Sequence, residues 1–274
     1  MSPVVRLLLK RLGISVIVLI GVSMLIFAIA RVIPGDPARI ALGPNATAEQ
    51  VADLREKLHL NAPVVVQYGI FLRDLFHGDL GQSLYTNRAV TTDIAQFLPA
   101  TLELVFVSGF MMIVLGLPLG VLSARYRGRW IDTAIRLVSL LGVSAPSFVW
   151  AVIFMLLFAF YLPIFPIAGQ ISDTIKLPAV TGFVMIDALI AGNLAAFFDA
   201  LRHIILPAFS LALAGIGQAA RLTRSSMVET YEKPFIEMAR SYGFMESRIA
   251  RHFALRPSLI PSLTVIGLDF APLL

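Results

Sequence analysis

The chain has 274 residues, of which 58% are hydrophobic and only 14% are charged, and its mean hydropathy is +0.84. Soluble domains carry about 25% charged residues, so this composition excludes an ordinary soluble protein. The formal net charge is +5, but the basic residues flank apolar runs and form no single patch with aromatic neighbours, which excludes a nucleic-acid-binding surface. Because the chain has no cysteine, disulfides and thiolate metal sites are excluded as well.

The apolar runs predict an all-α fold, a polytopic bundle of transmembrane helices. Residues 12–31 are predicted to form an uncleaved first span, because the apolar stretch is longer than the roughly 7–15 residues of a signal peptide. Each later run meets or approaches the roughly 20 residues that cross a bilayer. These later spans are predicted at 98–124, 131–160, 203–222 and 257–274. The last run is still apolar at Leu274, so we expect an incomplete span, with either further residues beyond it or a truncated product.

The positions of lysine and arginine predict how the spans are oriented. Basic residues precede the first span, occupy the turn at 125–129 and crowd the segment 223–256, whereas charges of both signs are mixed in 32–97. Short loops rich in lysine and arginine stay in the cytoplasm. The N-terminal residues 1–11 and the loop 223–256 are therefore predicted to be cytoplasmic.

Residues 32–97 are predicted to form a small extracytoplasmic insertion. Within it, the pattern over 47–60 is typical of an amphipathic helix that Thr47 caps, and a second short helix is predicted over 63–76. This insertion is interpreted either as a cap on the bundle or as a docking surface for a partner, and the two interpretations are compatible.

Residues 161–202 are predicted to be a second extracytoplasmic segment that lies on or against the bundle. The segment is apolar, but charged and polar residues interrupt it, and a charge at mid-bilayer costs about 2.5–3.5 kcal/mol. An even number of crossings must also separate the two cytoplasmic basic segments. The interrupting residues are Asp187, Asn193, Asp199 and Arg202.

The loop 223–256 contains the strongest candidate for a functional element. A proline suits the first helical turn, an acidic residue there is favoured by the helix dipole, and a glycine ends the helix. These signals predict a short helix over 234–242, followed by a second helix over about 246–255. The residues that would contact a partner are Pro234, Glu237, Ala239, Arg240 and Gly243. From the residues alone, either an interfacial amphipathic helix or a helix that transmits motion from a partner fits.

The order Glu237-x-Ala239-x-x-x-Gly243, followed by Leu259-Ile260-Pro261, resembles the cytoplasmic EAA loop of ABC importer permeases. Further segments are similar to the dipeptide, oligopeptide and nickel permeases, and their joint occurrence in this order identifies that family. These segments are Pro34-Gly35-Asp36-Pro37, Gly78-Asp79-Leu80-Gly81-Gln82-Ser83, Pro99-Ala100-Thr101-Leu102-Glu103-Leu104, Ser144-Ala145-Pro146-Ser147-Phe148 and Ala220-Arg221-Leu222-Thr223-Arg224-Ser225-Ser226-Met227. The loop departs from the family's commonest form at Met238 and Tyr242.

The resemblance implies a type I ABC importer permease of a bacterial inner membrane, with about five of its six spans present here. It implies that the chain imports peptides or related small solutes and forms half of the pathway. The implied partners are a second homologous permease, two ATPase subunits, an extracytoplasmic substrate-binding protein and membrane lipid, but no nucleic acid. ATP and Mg²⁺ would be held by the ATPase subunits, so no cofactor is expected in this chain. Candidate pathway or flexure positions, for which close helix packing is the favoured explanation, are Gly116, Pro118, Gly142, Ser144 and Pro146.

Two other classes compete with this interpretation. An ion-coupled secondary transporter usually has ionisable groups inside its spans, and none occurs at 105–123 or 137–160. A membrane enzyme would show a nucleophile motif or metal-ligand spacing such as H-E-x-x-H, and the four histidines are scattered. The chain is therefore predicted to be a transport subunit and not an enzyme, and the residues do not indicate which solute it carries.

Overall fold

The computed structural model describes residues 3–32, 36–43, 46–83, 85–86 and 88–273. Pro34 and Gly35, which belong to one of the segments that carry the resemblance, lie outside the described residues. The chain divides into two compact units, Met1–Gln96 and Phe97–Leu274.

The described part of the first unit contains four complete helices and the start of a fifth. The complete helices are α1 (Pro3–Val32), α2 (Pro37–Leu42), α3 (Ala48–Lys57) and α4 (Val64–Phe76). The predicted cap of α3 is present as a reciprocal capping box, in which the Gln50 amide donates to Thr47 Oγ1 at 3.3 Å and the Thr47 amide donates to Gln50 Oε1 at 2.9 Å. Because these hydrogen bonds join residues only three positions apart, the start of α3 can be predicted from a few residues of the sequence.

Helix α4 packs on the C-terminal half of α1 through aromatic side chains. The ring of Phe27 lies 5.3 Å from that of Tyr68 and 5.8 Å from that of Phe71, measured between centroids. The Tyr68 hydroxyl is 2.9 Å from Ser23 Oγ. Aromatic pairs at these distances stabilise a contact by about 0.5–1.5 kcal/mol beyond the buried area, so this cluster holds the small insertion against the first span.

The second unit surrounds one long helix. Its elements are α5 (Val90–Met111, which begins in the first unit), a π-helical turn (Met112–Gly116), α6 (Leu117–Arg125), α7 (Trp130–Ser144), α8 (Ser147–Met155), a π-helical turn (Leu156–Tyr161), α9 (Val184–Ile190), α10 (Leu194–Tyr231), α11 (Pro234–Ser241), α12 (Glu246–Arg248), a π-helical turn (Ile249–Ala254), α13 (Leu255–Asp269) and a 3₁₀ turn (Ala271–Leu273). Helix α10 contacts α6, α7, α8, α9 and α13, so it is the central element of this unit.

Among the described residues, four helices are long and apolar enough to cross a membrane, and a bent pair of helices adds a fifth span if it counts as one. The four are Val4–Ile29, Val90–Arg125, Leu194–Tyr231 and Glu246–Leu273. The prediction of an all-α, polytopic bundle with about five spans is confirmed.

The predicted span 131–160 is not one straight helix. Its two halves, Trp130–Ser144 and Ser147–Tyr161, meet at an angle of 105°. Ala145 between them is extended, with φ −126° and ψ 148°, because a residue before proline is excluded from the helical region by the Pro146 ring. The bend therefore follows from one local signal, although its angle depends on what the two halves pack against.

Helix α10 is longer than the predicted span 203–222 at both ends. It begins at Leu194, where the Asn193 side chain accepts the Ala196 amide at 3.0 Å, so residues 194–202 of the predicted extracytoplasmic segment are helical and continuous with the span. At the other end α10 runs on to Tyr231, into the predicted loop 223–256. The second helix of that loop likewise continues through Leu255 into α13 without a break.

The rest of the predicted segment 161–202 is held together by buried carboxylates. Asp187 accepts hydrogen bonds from the Thr181 hydroxyl at 2.6 Å and from the amides of Val180, Thr181 and Gly182 at 2.8–3.2 Å. These bonds, the Thr181 hydroxyl first, lower the pKa of Asp187 below its usual range. The charged form is therefore favoured, and the fold around α9 is weakened as the pH falls through that lowered pKa.

Close contacts at glycine position α7 and α10 against each other. A Cβ at Gly217 would lie 2.7 Å from the Ser139 carbonyl oxygen, and a Cβ at Gly142 would lie 3.0 Å from the Leu213 carbonyl oxygen. Both obstructing atoms belong to the backbone, so neither can turn aside. Small residues at such crossings allow transmembrane helices to approach closely.

We expect Gly217→Ala to lower the free energy of unfolding by about 1–3 kcal/mol, the usual cost of overpacking. Thermal unfolding of the purified chain in detergent measures the change. Gly267→Ala is the matched control, since a Cβ there meets nothing within 4 Å and alanine is the better helix former by about 1 kcal/mol. Equal midpoints for the two variants would contradict the packing role of Gly217.

Candidate functional site

Helix α11 is a short, rigid helix with a defined beginning and end. Pro234 occupies its first position, and Lys233 before it is extended. At the far end, the Gly243 amide donates to the Arg240 carbonyl at 2.9 Å and the Phe244 amide donates to the Ala239 carbonyl at 3.2 Å. This pair of bonds is a Schellman motif, and Gly243 has the positive φ of 76° that the motif requires. The helix predicted over 234–242 is therefore present, and it ends at the predicted glycine.

One face of α11 is anchored in the unit's own core and the other is exposed. Ile236 and Ala239 are 0% and 2% exposed. They belong to a hydrophobic cluster with Ala124 of α6, Met227 of α10, Ile249 and Ala254. The exposed face carries apolar side chains beside Glu237, since Met238 is 57% exposed and Tyr242 is 76% exposed. Helix α11 is therefore packed against its own unit on one face, and its other face is exposed and amphipathic. Such a helix is suited to bind a partner.

The segment after α11 is tied back to it. Arg240 Nε donates to Glu246 Oε1 at 2.8 Å, and this bond raises the pKa of Arg240 above its already high usual value. Exposed ion pairs of this kind stabilise by only about 0–1 kcal/mol. The stronger tie is apolar, because the Phe244 ring lies 5.5 Å from the Phe253 ring and packs against the same cluster. The Arg248 guanidinium lies 5.1 Å above the Phe244 ring.

A buried ion pair connects three elements at this end of the bundle. Asp132 of α7 is 1% exposed, and Arg224 of α10 donates to both of its oxygens, from Nε at 2.7 Å and from Nη2 at 2.9 Å. Ser123 of α6 donates its hydroxyl to Oδ1 at 2.6 Å, and the Gly128 amide donates to Oδ2 at 3.0 Å. We call Asp132 and Arg224 the carboxylate joint. Because Arg224 lies close to the end of α10 that leads into α11, the joint links α11 to α6 and α7.

Hydroxyl groups on α10 and α13 connect these two helices, which precede and follow α11 in the chain. Thr223 of α10 donates to Ser262 of α13 at 2.9 Å, and the hydroxyls of Thr230 and Ser258 lie 3.1 Å apart. All four side chains are buried. Hydrogen bonds of this kind between transmembrane helices contribute about 0.6 kcal/mol each on average. These hydroxyl contacts therefore stabilise the packing of α10 on α13 modestly.

Comparison with known proteins identifies the family. Residues 116–274 match the binding-protein-dependent transport system inner membrane component, and residues 4–105 match the N-terminal region of such membrane components. The chain belongs to this family. This permease is therefore a transport subunit of an ABC importer, a multi-pass membrane protein that works in a complex with other subunits.

Several curated relatives align along nearly the whole permease. It is 42% identical to the probable D,D-dipeptide transport system permease protein DdpB of Escherichia coli, over 94% of this chain and 76% of that protein. It is 36% identical to the dipeptide transport system permease protein DppB of Alkalihalophilus pseudofirmus, over 97% of this chain and 80% of that protein. It is 37% identical to the di/tripeptide transport system permease protein DppB of Pseudomonas aeruginosa, over 97% and 79%.

The structure separates the predicted contact residues of the permease into two groups. Pro234, Glu237, Arg240 and Gly243 are exposed, whereas Ala239 faces inward. The small side chain of Ala239 therefore allows α11 to approach its own bundle and leaves the outer face to Glu237 and its exposed neighbours. Gly243 has a conformational role, since a Cβ there would meet nothing within 4 Å.

The first two flexure candidates lie where the second span of the permease is irregular. Gly116 ends the π-helical turn Met112–Gly116, and Pro118 follows in the first turn of α6. Proline cannot donate the next helical hydrogen bond, and a π-turn before it accommodates that loss. Gly116 also packs closely, because a Cβ there would lie 2.8 Å from Ala219 Cβ. Gly116 therefore lies in an irregular turn of the helix and is also closely packed against α10.

The other flexure candidates lie at the bend between α7 and α8. Ser144 is the last residue of α7 and its hydroxyl donates to the Leu141 carbonyl at 2.7 Å, while Pro146 precedes α8. Gly142 packs against α10, as described above. The residues that could absorb a change of angle are therefore Ser144 and Pro146, and flexure of either remains a prediction.

The carboxylate joint is the part of the site that sequence reasoning missed. From the sequence, Arg224 is named only within one of the segments that carry the family resemblance, and Asp132 is not singled out. A lone acidic residue at the start of an apolar run indicates a partner, and that signal was present. Several arginines were available as the partner, however, and only the fold brings Arg224 to Asp132.

Proposed function

We propose that this permease imports di- or oligopeptides and that α11 is the coupling helix on which an ATPase subunit docks. The observation that carries the proposal is the division of α11 into an anchored face and a bare, amphipathic face. The three relatives described above are named as dipeptide or di/tripeptide permeases, which favours peptides as the cargo. The substrate itself would be selected largely by a separate extracytoplasmic binding protein.

The proposed assembly places two ATPase subunits below this end of the bundle and a second, similar permease beside it. The basic residues at this end favour the cytoplasmic side, with the N-terminus also in the cytoplasm. ATP and Mg²⁺ would be bound by the ATPase subunits. Closure of those subunits would displace α11, and the cluster around Ile236 would carry the displacement to α10 and α13. The carboxylate joint would pass it to α7, shifting the bundle between its outward-open and inward-open states.

Uptake of labelled peptides into vesicles that contain the reconstituted complex tests the proposal. We expect uptake to require ATP and the binding protein, and to persist when an uncoupler removes the proton gradient. Uptake that needs the gradient and no ATP would instead support an ion-coupled secondary transporter. Competition by unlabelled dipeptides and longer peptides would then separate the two cargo classes.

Charge reversal on the exposed face of α11 should weaken docking. We expect Glu237→Arg to reduce ATP-dependent uptake by at least about tenfold, because a mismatched charge at an interface costs on the order of several kcal/mol. Co-purification of the ATPase subunit with the permease measures the loss of docking directly. Glu229→Arg on α10 is the matched control: its side chain is 72% exposed at the same end of the bundle but outside α11, and the exposed ion pair that it loses, with Lys233 at 2.8 Å, contributes little to stability. Equal losses in both variants would assign the effect to the general surface charge and contradict a specific role of α11.

A further inference from the structure

A groove with a cavity of about 280 Å³ lies between α7 and α10, near the carboxylate joint. Its walls are largely apolar and include Ile135, Leu140 and Val143, of which Leu140 is 66% exposed and Val143 is 50% exposed. Ligand pockets typically range from about 300 to 1,000 Å³, so this groove has room for part of an extended apolar chain and not for a large solute.

Three guanidinium groups line one end of this groove, and a single carboxylate lies among them. Arg224 is committed to Asp132, and Arg136 Nε lies 3.6 Å from the same carboxylate. Arg221 is exposed and forms no ion pair with any residue that the structure describes. Three positive charges against one negative charge leave a net charge of about +2 at this end of the groove. This end of the groove therefore attracts a negatively charged group.

The charged and apolar parts of the groove follow one another along α7. Arg136 lies in the second turn of α7, near the start of its span, while Leu140 and Val143 follow deeper in the same helix. Basic residues at the end of a transmembrane helix lie at the level of the lipid headgroups, and basic pockets between helices on the cytoplasmic side bind anionic headgroups. The groove thus matches a phosphate at the surface and a hydrocarbon chain below it.

We propose that this groove binds one anionic phospholipid of the inner leaflet. Its phosphate would bind Arg136 and Arg221, and one acyl chain would lie along Ile135, Leu140 and Val143. A soluble anion would use the arginines and leave the exposed apolar walls uncovered, whereas an apolar helix of a partner would leave the two positive charges unpaired. Since Arg224 lines the same groove, the bound lipid would rest against the carboxylate joint and hold α7 and α10 together.

Native mass spectrometry of the permease in its detergent-purified complex tests this proposal. Phosphatidylglycerol and phosphatidylcholine with identical acyl chains are added at equal concentrations, and the retained lipid is counted. We expect retention of phosphatidylglycerol only. Arg136→Gln and Arg221→Gln should each weaken its binding about fivefold, the factor expected for one basic residue at an anionic membrane surface, and the double variant about 25-fold.

Arg251→Gln is the matched control, since Arg251 is an exposed arginine outside this groove, and it should retain the lipid as the unmodified protein does. Thermal unfolding without added lipid checks that each variant is folded, which the exposure of Arg136 and Arg221 favours. Undiminished phosphatidylglycerol binding by the double variant would overturn the proposal. Displacement of the lipid by inorganic phosphate at equal concentration would also overturn it, because the groove would then bind a soluble anion. Protection of the groove by the second permease, with no lipid retained in the complex, would identify it as a subunit contact.

Discussion

Arg224→Leu should lower the free energy of unfolding of the permease by about 3–5 kcal/mol, the cost of removing one partner of a buried ion pair. Asp132 would remain 1% exposed with its charge uncompensated. Ser123 and Gly128 would still donate hydrogen bonds to it, but neither carries a positive charge. Arg136 approaches only to 3.6 Å and is 55% exposed, so it replaces little of the lost interaction. Denaturant or thermal unfolding in detergent measures the change.

Two further variants show what the ion pair contributes beyond stability. Arg224→Lys should have an intermediate cost, because lysine keeps the charge but cannot make both hydrogen bonds of the guanidinium fork. The double variant Asp132→Leu with Arg224→Leu removes both charges, and such replacements are often neutral in stability. If the carboxylate joint transmits motion, the double variant should fold well yet import poorly. Normal uptake by a stable double variant would show that the joint has no role in transport.

The control for these variants is Arg136→Gln, which removes the exposed arginine near the same carboxylate. We expect it to change stability by no more than about 1 kcal/mol, the range of an exposed ion pair. If Arg224→Leu were as mild as this control, the carboxylate joint would not be a buried, tightly paired site, and the geometry of Asp132 would need another explanation.

The parts of the structure that could be predicted from the sequence are those whose causes are local. The start of α3 depends on an exchange between Thr47 and Gln50, and the end of α11 depends on one glycine, Gly243. In each case the residues that determine the conformation lie within a few positions of one another. The break at Pro146 also has a local cause, but the predicted span 131–160 ran through it, and its 105° angle depends on how the two halves pack against other helices.

The extent of α10 could not be predicted, because its first turns contain charged residues, which favour an extracytoplasmic segment over a helix that continues into the span. The structure shows how they are accommodated. Asp199 accepts the Ser172 amide at 2.7 Å and the Ser172 hydroxyl at 2.9 Å, and Arg202 donates to the Ile164 carbonyl at 2.8 Å. These hydrogen-bond partners lie far away in the sequence. A hydropathy profile includes the charged residues but not the hydrogen bonds that stabilise them. The pairing of Asp132 with Arg224 could not be predicted for the same reason, because the two residues are 92 positions apart.

The second large effect is expected from Gly243→Val, which should uncouple ATP hydrolysis from uptake while membrane insertion stays intact. The residue has φ 76°, and no atom lies within 4 Å of where a Cβ would be. The effect is therefore conformational and not steric, and a β-branched residue in the left-handed region costs about 1–2 kcal/mol or more. That free energy corresponds to a factor of about 5–30 in the equilibrium ratio between the correctly ended helix and its alternatives.

The coupling role predicts a specific pattern of activities in the reconstituted complex. Hydrolysis should continue but lose its stimulation by the binding protein, and uptake should fall, by up to about 5–30-fold. Gly243→Asn is the matched control, because asparagine tolerates a positive φ, and it should retain most of both activities. Unchanged uptake and stimulated hydrolysis in Gly243→Val would contradict the proposal that α11 is the coupling helix.

This prediction depends on the way the end of α11 is connected to its anchor. The Schellman motif directs Phe244 back onto the cluster that buries Ile236 and Ala239. If valine opens that motif, Phe244 withdraws from the cluster, and the connection between α11 and the helix that continues into α13 is weakened. A force on the exposed face would then tilt α11 more and move α13 less. The loss of uptake with continued hydrolysis follows from that one released contact, because the ATPase subunits would still bind a helix that moves α13 less.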